Sequence, residues 1–205
     1  MRTWTHFEAR FGAVGGQGVI LAGAILADAA AFYEGLQTVQ SPQYTAQVRG
    51  GATKVDIILD TERILFPQAN EVDYFLAMTQ RAYDRFVGDT KPTGIILVEP
   101  SLVPNYSNAP AKVYSLPIIA ITKREVGKMV MSSVVALGAM VRMTNVLEDE
   151  SVRKAVLRHA PKGTEQLNQL ALEVGFEWGS KLIKEGPVYV PDSSVKKKSE
   201  VYESE

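Results

Sequence analysis

The chain has 205 residues, of which 46% are apolar and 22% charged, and its formal net charge at pH 7 is −1. That is the composition of one globular domain, with no basic excess to attract nucleic acid or an anionic membrane. It has no cysteine and only two histidines, His6 and His159, which excludes disulfides, a thiol nucleophile and a cysteine-ligated iron–sulfur cluster held by this chain, and argues against a histidine-based zinc site. In chain order, Phe7, Ala9 and Phe11 alternate with Glu8 and Arg10, which predicts a half-buried strand. Four glycines follow within Gly12–Gly18, and then a nearly continuous apolar run opens a helix from about Gln17 to Tyr33, capped near Gly35. The site candidates here are Gly15, Gly16, Gln17 and Gly18, with Gly16 expected at positive φ. Such a turn suits close helix-on-sheet packing, an anion at the helix N-terminus, or another subunit.

Neither common nucleotide motif is intact at this turn. A dinucleotide fingerprint through Gly16 and Gly18 needs a small residue where Leu21 stands, and a phosphate loop through Gly18 and Gly23 needs lysine where Ala24 stands. The serine-hydrolase motif G-x-S-x-G is also absent. The N-terminus lacks an apolar signal core and no apolar run is long enough to span a bilayer, so a cytoplasmic location is expected.

Leu36–Val39 reads as a short second strand, broken at Ser41-Pro42, a proline that excludes a central place in a sheet. Tyr44–Arg49 forms a polar connection leading into Gly50-Gly51. Arg49 is either an exposed loop charge or a planar fork for a carboxylate, a phosphate or a subunit junction, so Arg49, Gly50 and Gly51 join the site candidates. Ala52–Leu59 is a strand with Val55, Ile57 and Leu59 on one face and Lys54, Asp56 and Ile58 on the other. Val72–Met78 is a core strand, after which Thr79 caps a helix carrying Ala82, Tyr83 and Phe86. Gly94–Val98 has the form of a strand buried on both faces, and Lys112–Leu116 is another short strand. Pro117 opens a helix through Ile121 or Val126, and Lys128–Met143 forms a longer one with Met129, Met131, Met140 and Met143 as packing residues. Helices are predicted over 150–159 and 164–184, the second with Leu167, Leu170, Ala171, Val174, Trp178 and Leu182 as its buried stripe. Residues 1–186 are expected to form the domain and 187–205 an extended or disordered tail. The fold class is α/β, a single Rossmann-like domain with an open, mostly parallel sheet, with room for mixed pairing, and helices on both faces.

Gly15-Gly16-Gln17-Gly18, Gln47-Val48-Arg49-Gly50-Gly51, Ile64-Leu65-Phe66-Pro67 with Asp73, Ala136-Leu137-Gly138-Ala139, and then Asn168, Ala171 and Gly175 occur in this order. Together they resemble the gamma subunit of the 2-oxoacid:ferredoxin oxidoreductases, with the 2-oxoglutarate and pyruvate enzymes nearest. The resemblance implies an antiparallel neighbour for the strand at 52–59. It also implies oxidative decarboxylation of a 2-oxoacid, with 2-oxoglutarate the preferred reading, to an acyl-CoA. Thiamine diphosphate, Mg2+ and iron–sulfur clusters would lie on alpha, beta and ferredoxin-like delta subunits, coenzyme A would accept the acyl group, and ferredoxin the electrons. No catalytic residue is expected on this chain. One departure is Ser133, which stands where asparagine commonly precedes the apolar-Leu-Gly segment, so no amide-dependent role carries over. Two other readings stay open: a stand-alone nucleotide- or acyl-CoA-binding module, and a purely structural assembly subunit.

Overall fold

The computed structural model describes residues 4–15, 18–43 and 51–191. Strand β1 (His6–Val14) runs into the glycine turn, and helix α1 (Val19–Asp28) leaves it, ending in one wide turn over Ala29–Tyr33. Strands β2 (Gln37–Gln43) and β3 (Ala52–Asp60) follow, then β4 (Val72–Ala77), helix α2 (Gln80–Phe86), β5 (Thr90–Val98) and β6 (Lys112–Ser115). Four helices complete the described fold: α3 (Ile118–Ile121), α4 (Ser132–Thr144), α5 (Asp149–His159) and α6 (Glu165–Glu185). The sheet order is β2-β3-β1-β4-β5-β6. Strand β3 pairs antiparallel with both β1 and β2, whereas β1, β4, β5 and β6 run parallel. The sheet is therefore mostly parallel, with the antiparallel part at one side.

The period of two along the strands sorts side chains between two cores. Ala9, Phe11, Val55, Ile57, Leu59, Tyr74 and Leu76 face α1 and α4–α6, while Ala52, Ile58, Phe75, Ala77 and Ile96 face α2. Helices α4 and α6 cross at glycines: a Cβ on Gly138 would lie 2.5 Å from the Leu172 carbonyl oxygen, and one on Gly175 would lie 2.3 Å from that of Val135. Only residues without a side chain let two helix backbones approach this closely. Gly138 and Gly175 thus acquire a packing reason.

Several expectations are corrected. β1 is not half-buried: Glu8 and Arg10 are as enclosed as the residues between them, because α2 and the segment after β3 cover that face. β2 does not stop at Ser41 but continues through Pro42, which an edge strand tolerates since its outward N–H is not needed for pairing. α1 starts at Val19 rather than position 17. The predicted helix at 128–143 divides into a tight turn over Met129–Met131 and α4, and Met129 is exposed rather than packed. On α6, Ala171, Val174 and Leu182 are buried as expected, but Leu170 is 45% exposed, and Asn168, Leu172, Gly175 and Gly179 join the buried stripe. The tight α4–α6 crossing rotates the small residues inward. Val188 and Tyr189, past α6, reach back to pair with Val113 on β6.

At the amino end of the sheet, His6 Nδ1 lies 2.7 Å from Asp60 and Nε2 lies 3.2 Å from Glu8. Burial works against the charged imidazole, but the bonds to Asp60 and Glu8 outweigh it and raise its pKa. For Asp60 burial is the largest single effect and works against the charged carboxylate, but the Glu62 backbone N–H and His6 together outweigh it and lower its pKa. A raised histidine stabilises the fold below its unfolded pKa of about 6.5 and loses that contribution as pH rises through the folded value. A lowered aspartate contributes above about 3.9 and loses it on acidification. The pair therefore stabilises most between about pH 4 and 6.5. The stability difference between wild type and His6→Gln, from urea unfolding, is expected to peak near pH 5–6 and to shrink toward pH 8; a difference independent of pH would refute the assignment.

Candidate functional site at the carboxyl edge of the sheet

β1 and β4 are adjacent and parallel, yet the chain leaves β1 for the α1 face and leaves β4 for the α2 face. The crevice outside their carboxyl ends is thus a topological switch point, the usual ligand position in open α/β sheets. The strands are drawn close there, with the Met78 N–H donating to the Gly12 carbonyl at 2.9 Å. Thr79 Oγ1 accepts from the Ala82 N–H and sets the start of α2.

The pairing register brings two distant glycine segments to this edge. Val14 pairs with Ala52, so Gly15 and Gly51 each stand one residue beyond the last rung of the β1–β3 ladder. Gly15 is exposed, with open space around its Cα, whereas Gly51 is buried. Gly18 caps the N-terminus of α1 at φ 73°, in the left-handed region that favours glycine, and a Cβ there would lie 2.7 Å from Ser133 Oγ. Ser133, at the start of α4, therefore closes the turn from beneath. Beside it Met129 and Val130 are exposed, giving the edge an apolar rim. No described side chain caps α1 and no acidic residue occupies its first turn, so the positive end of its dipole is left available to an anion. Gly16, Gln17, Arg49 and Gly50 lie outside the described residues.

Sequence reasoning passed over a buried guanidinium. Arg10 on β1 is 1% exposed and forks onto Asp56 of β3, Nε to Oδ1 at 2.6 Å and Nη2 to Oδ2 at 3.0 Å. Nη1 donates to Asp89 and to the Phe86 carbonyl, and Nη2 also donates to the Ala69 carbonyl. All five N–H groups of a guanidinium are thereby used. Burial works against its charge, but Asp56 and Asp89 outweigh it and raise its pKa. Lys54 adds a second cation 2.7 Å from Asp56. The opposite charges on the two strands were legible in the sequence, but neither the β1–β3 pairing nor the register that sets Arg10 against Asp56 was. With every donor occupied, Arg10 is a tie between elements rather than a ligand hook.

On the opposite core face, Tyr74 is fully buried, its phenol has no hydrogen-bond partner among the described residues, and burial pushes its pKa up. It is not poised as an acid or base. Among the described residues no three His, Cys, Asp or Glu side chains come together in a way that could hold a metal ion, and no helix is long and apolar enough to cross a membrane. The edge offers backbone N–H groups, close glycine approach and apolar rim contacts. It can position a ligand or a neighbouring chain.

Fold and site together define an open α/β domain that presents a glycine turn at a topological switch point. The chain belongs to the pyruvate ferredoxin/flavodoxin oxidoreductase family, whose model matches residues 8–178, and within it to the gamma-type subunits. It is 38% identical over 177 residues to the 2-oxoglutarate synthase subunit KorC of Methanocaldococcus jannaschii, covering 85% of this chain and 95% of that protein. The gamma subunit of keto/oxoacid ferredoxin oxidoreductase from Geobacter sulfurreducens shares 38% identity and superposes with a TM-score of 0.80, over 87% of this chain and 99% of that one. The 2-oxoglutarate:ferredoxin oxidoreductase of Magnetococcus marinus, solved with 2-oxoglutarate, coenzyme A and succinyl-CoA, gives a TM-score of 0.73 at 22% identity, over 93% of this chain and 32% of that chain, which shows the shared fold.

Proposed function

We propose that this chain is the gamma subunit of a multi-subunit, thiamine diphosphate-dependent 2-oxoacid:ferredoxin oxidoreductase acting on 2-oxoglutarate. The enzyme converts the 2-oxoacid, coenzyme A and oxidised ferredoxin into acyl-CoA, CO2 and reduced ferredoxin. The observation that carries this reading is the nearly end-to-end match to a 2-oxoglutarate synthase subunit. The absence of cysteine agrees with iron–sulfur clusters residing on alpha, beta or ferredoxin-like delta partners, as thiamine diphosphate and Mg2+ would. The same fold forms about a third of the longer Magnetococcus chain, which supports a domain that works against neighbours. In this reading the protein works in the cytoplasm. Residues 1–186 are assigned to the domain and 187–205 to an extended or disordered tail, of which Val188 and Tyr189 lie along β6.

Within the complex, Gly15–Gly18 and Arg49–Gly51 border the coenzyme A approach or a subunit junction. Their support is the register that brings Gly15 and Gly51 to one edge, and the uncapped α1 N-terminus beside them. The test uses the co-purified complex. The isolated chain is expected to turn over no 2-oxoacid with coenzyme A, thiamine diphosphate and an acceptor supplied, while the complex does. Arg49→Lys keeps the charge but loses the planar fork. In the complex it is expected to raise the KM for coenzyme A or weaken subunit association several-fold, with the chain still folded. Turnover by the isolated chain would defeat the functional reading, and a wild-type-like Arg49→Lys complex would defeat the role of Arg49.

A further inference from the structure

We propose that the exposed Leu65–Phe66 pair, with the polar cavity beside it, is the docking surface for an extended segment of a companion subunit; this rests on the multi-subunit reading above. Leu65 and Phe66 are 80% and 75% exposed, consecutive, and lie between β3 and β4. Their segment is fastened from beneath. Ser41 Oγ donates to the Pro67 carbonyl at 2.7 Å, Arg10 to the Ala69 carbonyl at 3.0 Å, and the Glu71 N–H to Glu8 at 2.8 Å. Two large apolar side chains held outward on a pinned backbone are preorganised anchors for a partner.

The cavity next to them has a volume of about 410 Å³ and is lined by Ser41, Gln43, Lys54, Gln68, Asn70 and Asp89. Its two cations, Lys54 and Arg10, balance Asp56 and Asp89, so it does not select a phosphate or carboxylate ligand. The carboxamides of Gln43, Gln68 and Asn70 both donate and accept, as peptide groups do. Among the described residues β2 is moreover the last strand on this side of the sheet, an edge of the kind that takes an added strand, up to Pro42. Ser41 joins the three features: it belongs to β2, lines the cavity and holds Pro67. A neutral, amide-lined cavity beside an apolar pair and an edge strand matches an extended polypeptide. The companion's backbone meets the carboxamides and its apolar side chains meet Leu65 and Phe66.

The full-length chain is co-expressed with the subunits that co-purify with it, each identified by mass spectrometry. Leu65→Ser/Phe66→Ser is expected to leave the melting temperature of the isolated chain unchanged and to lower recovery of an oxidoreductase subunit at least tenfold. Gln68→Arg, which puts an unbalanced charge in the cavity and leaves the apolar pair intact, is expected to weaken recovery as well. Ile183→Ser, at an exposed apolar position on α6, is expected to assemble like wild type. Full assembly of both the double variant and Gln68→Arg, or an equal loss with Ile183→Ser, overturns the docking surface. So does self-association of the isolated wild type that the double variant abolishes, since the occupant would then be a second copy. A wild-type chain that recovers no oxidoreductase subunit defeats the functional reading itself, whereas a complex that survives the substitutions defeats only the docking surface.

Discussion

Arg10→Met is expected to lower the melting temperature by about 10 °C. The guanidinium bonds to two carboxylates and two carbonyls from a position almost without solvent. Removing it strands the buried Ala69 and Phe86 carbonyls and leaves Asp56 with Lys54 alone, while the half-exposed Asp89 turns to solvent. Breaking one side of a buried pair costs about 3–5 kcal/mol, and each kcal/mol shifts the melting point by about 2–4 °C at this size. Arg10→Lys should lose most of the same amount, because one ammonium cannot span partners on β3, at the end of α2 and in the segment after β3. Replacing both members, as in Arg10→Met/Asp56→Leu, should recover part of the loss, since an apolar pair carries no desolvation cost. Thermal unfolding followed by circular dichroism decides it: a shift under about 2 °C for Arg10→Met would mean that the network contributes less than one surface ion pair.

Gly175→Ala carries the second large effect, and two opposing terms set its sign. Alanine gains up to about 1 kcal/mol over glycine in a helix interior. Its Cβ, however, would lie 2.3 Å from the Val135 carbonyl oxygen and 2.9 Å from Gly138 Cα, and both obstacles are backbone. No side-chain rotation relieves such contacts, so α4 and α6 must separate along their crossing. Overpacking of this kind costs about 1–3 kcal/mol, and a backbone obstacle places it at the upper end, leaving a net loss on the order of 2 kcal/mol. Gly15→Ala is the comparison, with nothing within 4 Å of the added carbon and an expected change within about 0.5 kcal/mol. Equal midpoints in urea for Gly175→Ala and wild type would show that the crossing has slack.

Part of the candidate site was legible in the sequence. The glycine turn between a strand and an apolar helix announced itself locally, through composition alone. The proximity of Gly15 to Gly51 did not, because it follows from the β1–β3 register and from no feature within either segment. Gly18 is a described turn position with a left-handed backbone, and its second constraint, Ser133, comes from a helix more than a hundred residues away. Arg10 was hidden for a related reason. An alternating strand reads as half-solvated, and only the cover supplied by α2 and by residues 67–70 turns its polar face inward.

The sequence by itself determined the α/β class, the existence of most strands and helices, and the family resemblance, because periodicity, caps and glycine punctuation act within a few residues. Thr79 capping α2 and Val55, Ile57 and Leu59 sharing one face are cases where local chemistry sufficed. Only the tertiary structure decided the sheet order, which strands flank β3, the burial of Arg10, the exposure of Leu170 and the carriage of β2 through Pro42. Each of these depends on which distant element lies alongside, and contact between segments far apart in the chain removes water from one side chain or leaves it on another.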